Sequence, residues 1–454
     1  MMKNVSVIGL GKLGACMAAT MAAKGMNVIG VDLNSKFVEL INQGLAPVVE
    51  PGLEALIKAN CSKLRATTSC KEAVLNSDVS FIIVPTPSDE SGGFSIKYVK
   101  EAAREIGAAL REKSSYHLVV LTSTVLPGGT QQSLLPLLEQ ASGKTCGKDF
   151  GLCYNPEFIA LGSVIHDLTH PDFILIGESD EIAGDKLETW YQSYCENKPA
   201  VSRMNFVNAE LTKISVNTYV TTKITFANML ANLCESLPGA DIDTVSAALG
   251  LDSRIGRRYL TGALGYGGPC FPRDNKALSY SAAQVGLTMP LAEVTDKTNR
   301  DLLNKMAAKV RNALRPGMNV TVLGLAYKPD TNVVEESQGV ALAKAISEHG
   351  IKTTVFDPVA MENAKTVLKD SVRYAPSLSA ALEEADAVIV TIPCKEFQAL
   401  TLEQLPKRHS PVKVFDCWRI LRKKFQNLEA IDYIPLGVGN LLETAAQVLA
   451  QGAA

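Results

Sequence analysis

The sequence has 454 residues, of which 46% are hydrophobic, and its 45 basic and 47 acidic side chains leave a formal net charge of −2 at pH 7. This near balance, with no long run of either sign, makes nucleic acid and anionic membrane surfaces poor candidates for partners. The length predicts two or three domains, and no apolar run approaches the roughly 18 residues that span a bilayer. Because the chain opens on a strand-like segment and not on a signal peptide, we expect a soluble, cytoplasmic protein.

The first predicted elements are a strand, a glycine-rich turn and a helix. The apolar run Val5–Ile8 leads into Gly9-Leu10-Gly11-Lys12-Leu13-Gly14, and the following strand ends at Asp32. In this context the glycines allow a tight turn, close approach of a pyrophosphate and helix packing, whereas a purely structural glycine turn is the alternative. Asp32 can accept hydrogen bonds from ribose hydroxyls and would repel a 2′-phosphate, so the pattern favours NAD over NADP.

A long helix is predicted between about Asn205 and Leu237, because this stretch contains no Gly or Pro and has apolar residues at helical spacing. Lys213 and Asn217 lie four residues apart and would share one face of it. An ammonium and an amide so placed could hold an alcohol or carbonyl oxygen. Without further context, this pair would be interpreted as ordinary solvated side chains.

Ten cysteines are scattered along the chain, and no Cys-x-x-Cys pair suggests a structural zinc ion. Most of them, such as Cys16, are expected to be small buried hydrophobic groups, and no metal is expected. Cys270 differs, since glycines expose backbone amides just before it and Arg273 and Asp274 follow it. Such surroundings favour a thiolate, the form of cysteine that attacks carbonyl carbons, over the alternative of a thiol packed in a loop.

The pattern of the amino-terminal region returns near residue 320. The run Asn319–Leu323 leads into Gly324, and a later strand ends in Asp357. The final glycine of the loop is missing, so a nucleotide diphosphate held partly by Lys328 is a better expectation there than a dinucleotide. Alternating apolar strands and helical patterns predict an α/β fold: two Rossmann-like, doubly wound parallel-sheet domains joined by a helical domain with a long central helix. We place the domains at residues 1–200, 201–300 and 301–454.

In order and spacing, these motifs resemble those of the UDP-glucose/GDP-mannose dehydrogenase family over nearly the whole chain. The family's signatures are the amino-terminal glycine-rich loop, Val84-Pro85-Thr86-Pro87, Ser123-Thr124-Val125, Asn155-Pro156-Glu157-Phe158, Glu210 through Asn217, and Gly267 through Asp274. The resemblance implies NAD-dependent oxidation of a nucleotide-sugar primary alcohol to a carboxylate. The aldehyde would be captured by Cys270 as a thiohemiacetal, oxidised to a thioester and hydrolysed.

The resemblance also implies roles for individual residues. The catalytic residues would be Cys270, Lys213, Asn217, Asp274, Glu157 and Thr124. Contacts with NAD would come from Gly9, Leu10, Gly11, Lys12, Leu13, Gly14, Asp32, Lys36, Thr86, Thr124 and Arg273. The nucleotide sugar would be contacted by Glu157, Phe158, Lys213, Asn217, Arg254, Tyr259, Gly267, Lys328 and Arg419. In such enzymes the residue matched by Arg254 reaches a partner subunit, which implies a homodimer or higher homo-oligomer built on the long helix.

Two positions depart from the family pattern. A second glutamate usually follows the one matched by Glu157 by four residues, and here that position is Leu161. The family's Arg-Glu-Ser triplet after the second nucleotide loop reads Glu335-Glu336-Ser337 here. If the two positions lie close together, the loss of an acid and the loss of a base would compensate each other in NAD binding, which is a hypothesis.

The substrate and the enzyme class each leave alternatives. The segment from Cys270 to Asp274 favours UDP-glucose over N-acetylated sugars, whose enzymes tend to place a histidine where this chain has Pro269. A UDP-N-acetylhexosamine is the second choice and GDP-mannose the third. A two-electron β-hydroxyacid dehydrogenase would need neither a nucleophilic cysteine nor a second nucleotide domain. A non-enzymatic NAD-binding redox sensor would have no need of Cys270 and Lys213.

Overall fold

The computed structural model describes residues 2–315 and 317–439. The chain divides into two compact units. The first runs to Val216 and also includes Tyr280–Leu287, and the second comprises Asn217–Ser279 and the described residues from Thr288 onward. None of the helices in these described ranges combines the length and the apolar character needed to cross a membrane. The predicted three-domain boundaries near residues 200 and 300 stay a prediction.

The first unit is built on an eight-stranded sheet. Its strands are β1 (Asn4–Ile8), β2 (Asn27–Val31), β3 (Leu64–Thr67), β4 (Val79–Ile82), β5 (His117–Leu121), β6 (Phe150–Tyr154), β7 (Phe173–Glu178) and β8 (Ala200–Met204). They lie in the order β3-β2-β1-β4-β5-β6-β7-β8, and every neighbouring pair is parallel except β6 and β7. The first six strands therefore form a doubly wound parallel sheet, which β7 and β8 extend in the opposite direction.

Helices cover both faces of this sheet. They are α1 (Lys12–Ala23), α2 (Ser35–Asn42), α3 (Leu53–Ala59), α4 (Cys70–Leu75), α5 (Lys97–Glu112), α6 (Leu135–Ser142), α7 (Val164–Thr169) and α8 (Glu181–Tyr194), with a π-helical turn at Thr130–Leu134. Side chains alternate along the strands, so that Leu118 and Val120 enter one core with α1 while Val119 and Leu121 enter another with α5. Burial on both faces explains why the central strands β4, β5 and β6 are mostly apolar.

The predicted long helix is α9 (Phe206–Ser236), and the boundary between the units falls within it. The helices that follow are α10 (Ile242–Leu251), α11 (Phe271–Ala283), α12 (Pro290–Ala313), α13 (Gln338–Ser347), α14 (Met361–Leu368), α15 (Leu378–Leu382), α16 (Lys395–Gln398) and α17 (Arg422–Phe425), with 3-10 turns at Lys369–Ser371 and Leu402–Gln404. The absence of helix breakers in α9 is what allows 31 residues to continue without interruption.

The second unit contains a six-stranded, fully parallel sheet. Its strands are β9 (Asn319–Leu323), β10 (Lys352–Phe356), β11 (Arg373–Tyr374), β12 (Ala387–Val390), β13 (Val412–Asp416) and β14 (Ile431–Pro435), in the order β11-β10-β9-β12-β13-β14. This order matches, strand for strand, the order β3-β2-β1-β4-β5-β6 in the first sheet. The prediction of two parallel-sheet α/β domains with helices between them in the chain is confirmed.

A buried polar cluster lies where β4 and β5 begin. The Nε2 atom of His117 lies 2.8 Å from the Ser80 hydroxyl, and its Nδ1 atom lies 3.2 Å from the Ser77 carbonyl oxygen. The ring is completely buried. Burial, assisted by the nearby Lys113 ammonium, lowers the pKa of His117 to about 3. This histidine is therefore neutral in the folded chain over the whole range in which an exposed histidine takes up a proton.

We expect His117 to make the fold acid-sensitive. In the unfolded chain histidine binds a proton near pH 6.5, so between that pH and about pH 3 the unfolded state holds the extra proton and the free energy of unfolding falls as pH drops. From about pH 7 to about pH 5 this amounts to about 2 kcal/mol. Urea unfolding at pH 7 and pH 5 should show this decrease in the free energy of unfolding for the wild type and for the control variant His349→Gln, which changes an exposed histidine. The decrease should be absent in His117→Gln. An equal loss in all three would contradict the assignment.

Candidate active site

The glycine-rich loop after β1 has the backbone geometry that a dinucleotide requires. Gly9 has a φ of +102°, and a Cβ there would lie 2.2 Å from the Ile83 carbonyl oxygen. A Cβ on Gly14 would lie 1.9 Å from the Gly9 carbonyl oxygen, so α1 packs on the turn only with glycine at this position. A Cβ on Gly11, the N-cap of α1, would meet no described atom within 4 Å. This open space at a helix N-terminus fits a pyrophosphate, with Leu10, Lys12 and Leu13 on either side of Gly11.

Asp32 directly follows β2 and is hydrogen-bonded to the glycine-rich loop. Its Oδ2 atom accepts a hydrogen bond of 2.7 Å from the Leu10 amide, and its Oδ1 atom accepts one of 2.8 Å from the Asn34 amide. The side chain is half-buried, and each carboxylate oxygen can accept a second hydrogen bond. Asp32 can therefore bind ribose hydroxyls while keeping its contacts with the backbone. Lys36, in the first turn of α2, is exposed.

The loops that follow β4 and β5 are joined by two hydroxyl groups. Ser123 Oγ donates to the Val84 carbonyl oxygen at 2.7 Å and accepts from the Val84 amide at 2.9 Å. Thr86 Oγ1 donates to the Thr124 carbonyl oxygen at 2.8 Å. Thr86 and Thr124 thus lie together at the carboxyl ends of adjacent parallel strands, the edge at which ligands bind in open α/β sheets.

Glu157 lies just beyond the carboxyl end of β6 and has an unusual titration. Burial raises the pKa of Glu157 to about 7, although the Lys213 ammonium acts in the opposite direction. The Tyr191 hydroxyl lies 3.1 Å from Glu157 Oε1 and 2.5 Å from Asn155 Oδ1. A carboxyl group with this pKa can both accept and release a proton at neutral pH, as acid–base catalysis requires.

Lys213 projects from α9 toward the Glu157 segment. Its Nζ atom donates to the Glu157 carbonyl oxygen at 2.6 Å and lies 4.4 Å from the centroid of the Phe158 ring. The side chain is buried, and the ring face and the carbonyl oxygen both stabilise its positive charge. Three residues that the family resemblance assigned to one site are therefore brought together within the first unit.

Cys270 occupies the amino-terminal end of α11 in the second unit. The helix begins at Phe271, and the Cys270 carbonyl oxygen accepts the Asp274 amide at 2.8 Å, which makes Cys270 the residue that precedes the first turn. The residue is exposed, so the expectation of a buried cysteine does not apply to it. The positive end of the helix dipole favours negative charge on a sulfur atom at this position.

The glycines before Cys270 allow close contact with the segment before α13. The Gly268 amide donates to the Glu335 carbonyl oxygen at 3.0 Å, and a Cβ on Gly267 would lie 2.1 Å from the Glu336 carbonyl oxygen. Both glutamate side chains are exposed. The backbone of Glu335 and Glu336 supports the cysteine loop, and this support does not depend on the Glu335 side chain, which stands where the family usually has an arginine.

Two neighbouring bridges join the second-unit part of α9 to α11. Asn217 Nδ2 donates to Asp274 Oδ2 at 2.6 Å, and one turn further along, the Thr221 hydroxyl lies 3.0 Å from Asn275 Oδ1. Asp274 is buried, and its carboxylate orients the Asn217 amide. Asn217, Asp274 and Cys270 are thus held by one helix–helix contact within the second unit.

The glycine loop after β9, which begins at Gly324, resembles the loop after β1, but the aspartate that contacts it has different hydrogen bonds. Asp357 is buried and accepts four backbone N–H bonds, which come from Leu325, Ala326, Val359 and Ala360. These four bonds occupy the lone pairs that Asp32 keeps available for a ribose. The geometry therefore supports the expectation that this loop, which carries Lys328, does not take a dinucleotide in the manner of the first.

Arg419, predicted to bind the nucleotide sugar, supports the second unit internally. The residue has a φ of +61°, and its guanidinium forms a bidentate pair with Asp243, with Nε–Oδ2 at 2.8 Å and Nη2–Oδ1 at 2.9 Å. It also donates to the carbonyl oxygens of Leu436 and Thr261. These contacts engage four of its five N–H groups. Arg254 is exposed and pairs with Asp252, and Tyr259 is about half exposed.

Comparison with known proteins identifies the family. The model of the UDP-glucose/GDP-mannose dehydrogenase family's NAD binding domain matches residues 3–195, its central domain matches residues 207–301, and its UDP binding domain matches residues 321–423. This chain belongs to the UDP-glucose/GDP-mannose dehydrogenase family. The predicted class, an NAD-dependent nucleotide-sugar dehydrogenase, and the predicted cofactor NAD are confirmed.

Individual family members match over most of their length. UDP-glucose 6-dehydrogenase AglM of Haloferax volcanii is 36% identical over 434 residues, which are 95% of this chain and 99% of the relative. GDP-mannose 6-dehydrogenase of Pseudomonas aeruginosa is 38% identical over 358 residues, 78% of this chain and 81% of the relative. The structure of a UDP-glucose dehydrogenase from Pyrobaculum islandicum has a TM-score of 0.85 and 34% identity, and covers 96% of this chain and 98% of that one. The family's UDP binding domain argues against the β-hydroxyacid alternative.

Two residues of this family member were not assigned from sequence. Glu210 is completely buried, and its carboxylate accepts the Gly128 amide at 2.5 Å and the Thr130 amide at 2.7 Å. It therefore anchors the start of the helical segment before α6. A Cβ on Gly339, in the first turn of α13, would lie 2.1 Å from the Gly324 carbonyl oxygen. Gly14 makes the equivalent close contact with the Gly9 carbonyl oxygen in the first loop. The missing final glycine of the second loop is thus supplied 15 positions after Gly324.

Proposed function

We propose that this chain oxidises UDP-glucose to UDP-glucuronate in two successive two-electron steps, through a covalent intermediate on Cys270. The observation that carries the proposal is the exposed thiol of Cys270 at the amino-terminal end of α11, in a chain that also has the glycine loop and Asp32 of an NAD site. A simple alcohol dehydrogenase has no use for such a nucleophile. The UDP binding model over residues 321–423 supports a UDP-sugar as the substrate.

The overall reaction balances with the sugar alcohol, NAD and water as its only reactants. The loop from Gly9 to Gly14 and Asp32 would hold NAD, which would supply the oxidant for two hydride removals, one from the alcohol carbon and one from the carbon of the captured aldehyde. Cys270 sulfur forms a bond to the aldehyde carbon, which keeps the aldehyde from escaping. Water then adds to the thioester carbon and the carbon–sulfur bond breaks, which restores the thiolate and releases the carboxylate. One alcohol, one water and two NAD give one carboxylate, two NADH and three protons.

The remaining polar residues hold oxygen atoms and protons. The Lys213 ammonium, fixed by the Glu157 carbonyl oxygen and the Phe158 ring, stabilises an oxygen that gains negative charge. The Asn217 amide, oriented by Asp274, does the same for the reacting oxygen or the water. Glu157, whose pKa burial raises to about 7, takes the proton that the hydrolytic water loses, with Thr124 as a further contact.

The test is the ratio of NADH formed to UDP-glucose consumed at completion, with the product identified by mass spectrometry. Two NADH per sugar and UDP-glucuronate as product are expected. One NADH per sugar would overturn the covalent four-electron route. A parallel assay with GDP-mannose tests the second candidate substrate, which the 38% identity with a GDP-mannose 6-dehydrogenase favours over an N-acetylated sugar. A higher kcat/KM for GDP-mannose than for UDP-glucose would assign the chain to that substrate.

We also propose that the chain is a homodimer built on α9. Tyr219, Phe226, Met229 and Leu233 are between 50% and 63% exposed, and their spacing of seven, three and four residues places them on one face of the helix. A long apolar stripe of this kind is typical of a protein interface. The proposed location is the cytoplasm, since none of the ten cysteines, all within the described ranges, forms a disulfide.

Two charges placed on this stripe should separate the subunits. Light scattering of the wild type is expected to give about twice the chain mass of 48.6 kDa, and the double variant Phe226→Glu, Leu233→Glu is expected to give a single chain mass. Val367→Glu, at an exposed apolar position of α14, serves as the control and should leave the mass unchanged. A double variant that keeps the wild-type mass would place the interface elsewhere.

A further inference from the structure

The hydroxyl of Tyr191 has two acceptor atoms within reach but only one proton. Its oxygen lies 2.5 Å from Asn155 Oδ1 and 3.1 Å from Glu157 Oε1. A phenol donates one hydrogen bond and can accept others. The direction of its single proton therefore decides whether Tyr191 interacts with Glu157 as a donor or as an acceptor, and these two arrangements stabilise opposite protonation states of the carboxyl group.

The surroundings of Asn155 fix that direction. Asn155 follows β6 and is almost completely buried, and its Nδ2 atom donates to the Leu175 carbonyl oxygen of β7 at 2.9 Å. A reversed amide would place two carbonyl oxygens against each other at Leu175. The Oδ1 atom therefore faces Tyr191, and as an atom without hydrogen it can only accept. The shorter contact and the cost of leaving a buried acceptor unsatisfied both direct the Tyr191 proton to Asn155.

We infer that Tyr191 is a positioning residue which, with its proton committed to Asn155, accepts a hydrogen bond from protonated Glu157 and so holds this side chain in its acid form. In that form three groups share two hydrogen bonds, from Glu157 to Tyr191 and from Tyr191 to Asn155. When Glu157 is ionised, only one of the two can form. This inference deepens the proposed function and rests on it, because it makes Glu157 an acid in the resting enzyme that becomes a base only after releasing its proton.

Few other titratable groups face Glu157. Tyr191 and Tyr194 approach from α8, Cys195 follows that helix, and Lys213 approaches from α9. Burial raises the pKa of both tyrosines and raises that of Cys195 to about 12, so these three stay neutral where Glu157 titrates. The Lys213 ammonium favours the ionised form of Glu157. Leu161, where the family usually has a second glutamate, adds no carboxylate and packs against the apolar core of the first unit.

The experiment measures the titration of Glu157 directly, without turnover. Carboxyl carbon NMR of the full chain labelled at glutamate, with the Glu157 resonance assigned from Glu157→Gln, gives the midpoint in each variant. In Tyr191→Phe the midpoint is expected to fall by roughly one pH unit, because the neutral form loses its acceptor. It is also expected to fall in Asn155→Ala, because the released Tyr191 proton can turn to the carboxylate. Tyr194→Phe is the matched control, since that hydroxyl pairs with Thr20 at 2.6 Å, and should not move the midpoint.

The opposite arrangement predicts opposite results. If Tyr191 donated to Glu157, Tyr191→Phe would raise the midpoint and Asn155→Ala would leave it unchanged, and either result would overturn the inference. Should Asn155→Ala not fold, the sign of the change in Tyr191→Phe still decides. The NADH stoichiometry is measured separately, so a ratio of one with the expected shifts would reject the proposed function and leave the hydrogen-bond direction standing.

Discussion

Replacing Cys270 by alanine is expected to reduce the steady-state rate of UDP-glucuronate formation by at least about a thousandfold. Without the sulfur atom no thiohemiacetal forms, and the aldehyde left in the site has no covalent route to the thioester. The first oxidation does not need the thiol, so a single-turnover experiment should still show up to one NADH per active site. Stopped-flow absorbance of NADH and mass spectrometry of a hydrazine-trapped aldehyde would measure the two phases.

Cys61→Ala is the matched control for this variant. Cys61 is also an exposed cysteine, but it lies between α3 and β3, and neither geometry nor resemblance gives it a role. Its replacement should change kcat by less than about twofold. If Cys270→Ala kept two NADH per sugar at a comparable rate, water would have to add directly to the aldehyde, and the covalent mechanism would be wrong.

The fold was predictable where a local pattern has one physical meaning. Mostly apolar strands such as β1 and β5 occur where both faces of a parallel sheet are buried. A stretch of more than 30 residues without Gly or Pro has few alternatives to helix. The antiparallel direction of β7 was not predictable. Its sequence has the same apolar character as that of its parallel neighbours, so nothing in its pattern indicates the antiparallel pairing with β6.

Parts of the site were predictable because some backbone conformations and close contacts require glycine. The loop from Gly9 to Gly14 needs glycine for a positive φ and for close contacts, and these needs are visible in the spacing. The equivalent contact at Gly339 was missed because an insertion separates it from Gly324. The pairing of a glycine with the first turn of a helix capped by Ser337 was the available indication.

Residues that act through distant partners were not accessible from sequence. Asp32 and Asp357 occupy the same place in two similar patterns, yet only the structure shows that four backbone amides occupy Asp357. The role of Tyr191 depends on the direction of the Asn155 amide, which a carbonyl group in β7 determines. Hydrogen-bond direction is a property of the folded arrangement, and no spacing between residues encodes it.

Replacing Lys213 by methionine is expected to lower kcat by about a hundredfold or more, because an ammonium aimed at an oxygen that gains charge contributes more to the transition state than to substrate binding. KM should change much less. Methionine keeps the length and the apolar contact with Phe158, so the loss isolates the charge and its hydrogen bond to the Glu157 carbonyl oxygen. Arginine should not restore activity, since its planar, longer group does not match a site built for a compact ammonium.

The same variant has a second readout that a merely structural lysine would not give. The Lys213 ammonium favours the ionised form of Glu157, so its removal should raise the pKa of that carboxyl group above about 7 and move the dependent limb of the pH–rate profile to higher pH. Lys186→Met is the control, because Lys186 also lies over an aromatic ring in the first unit, 5.1 Å from the Tyr116 centroid. It should change neither kcat nor the pH profile. A Lys213→Met enzyme with normal kcat and an unshifted profile would exclude Lys213 from the reaction and leave it as an anchor for the Glu157 segment alone.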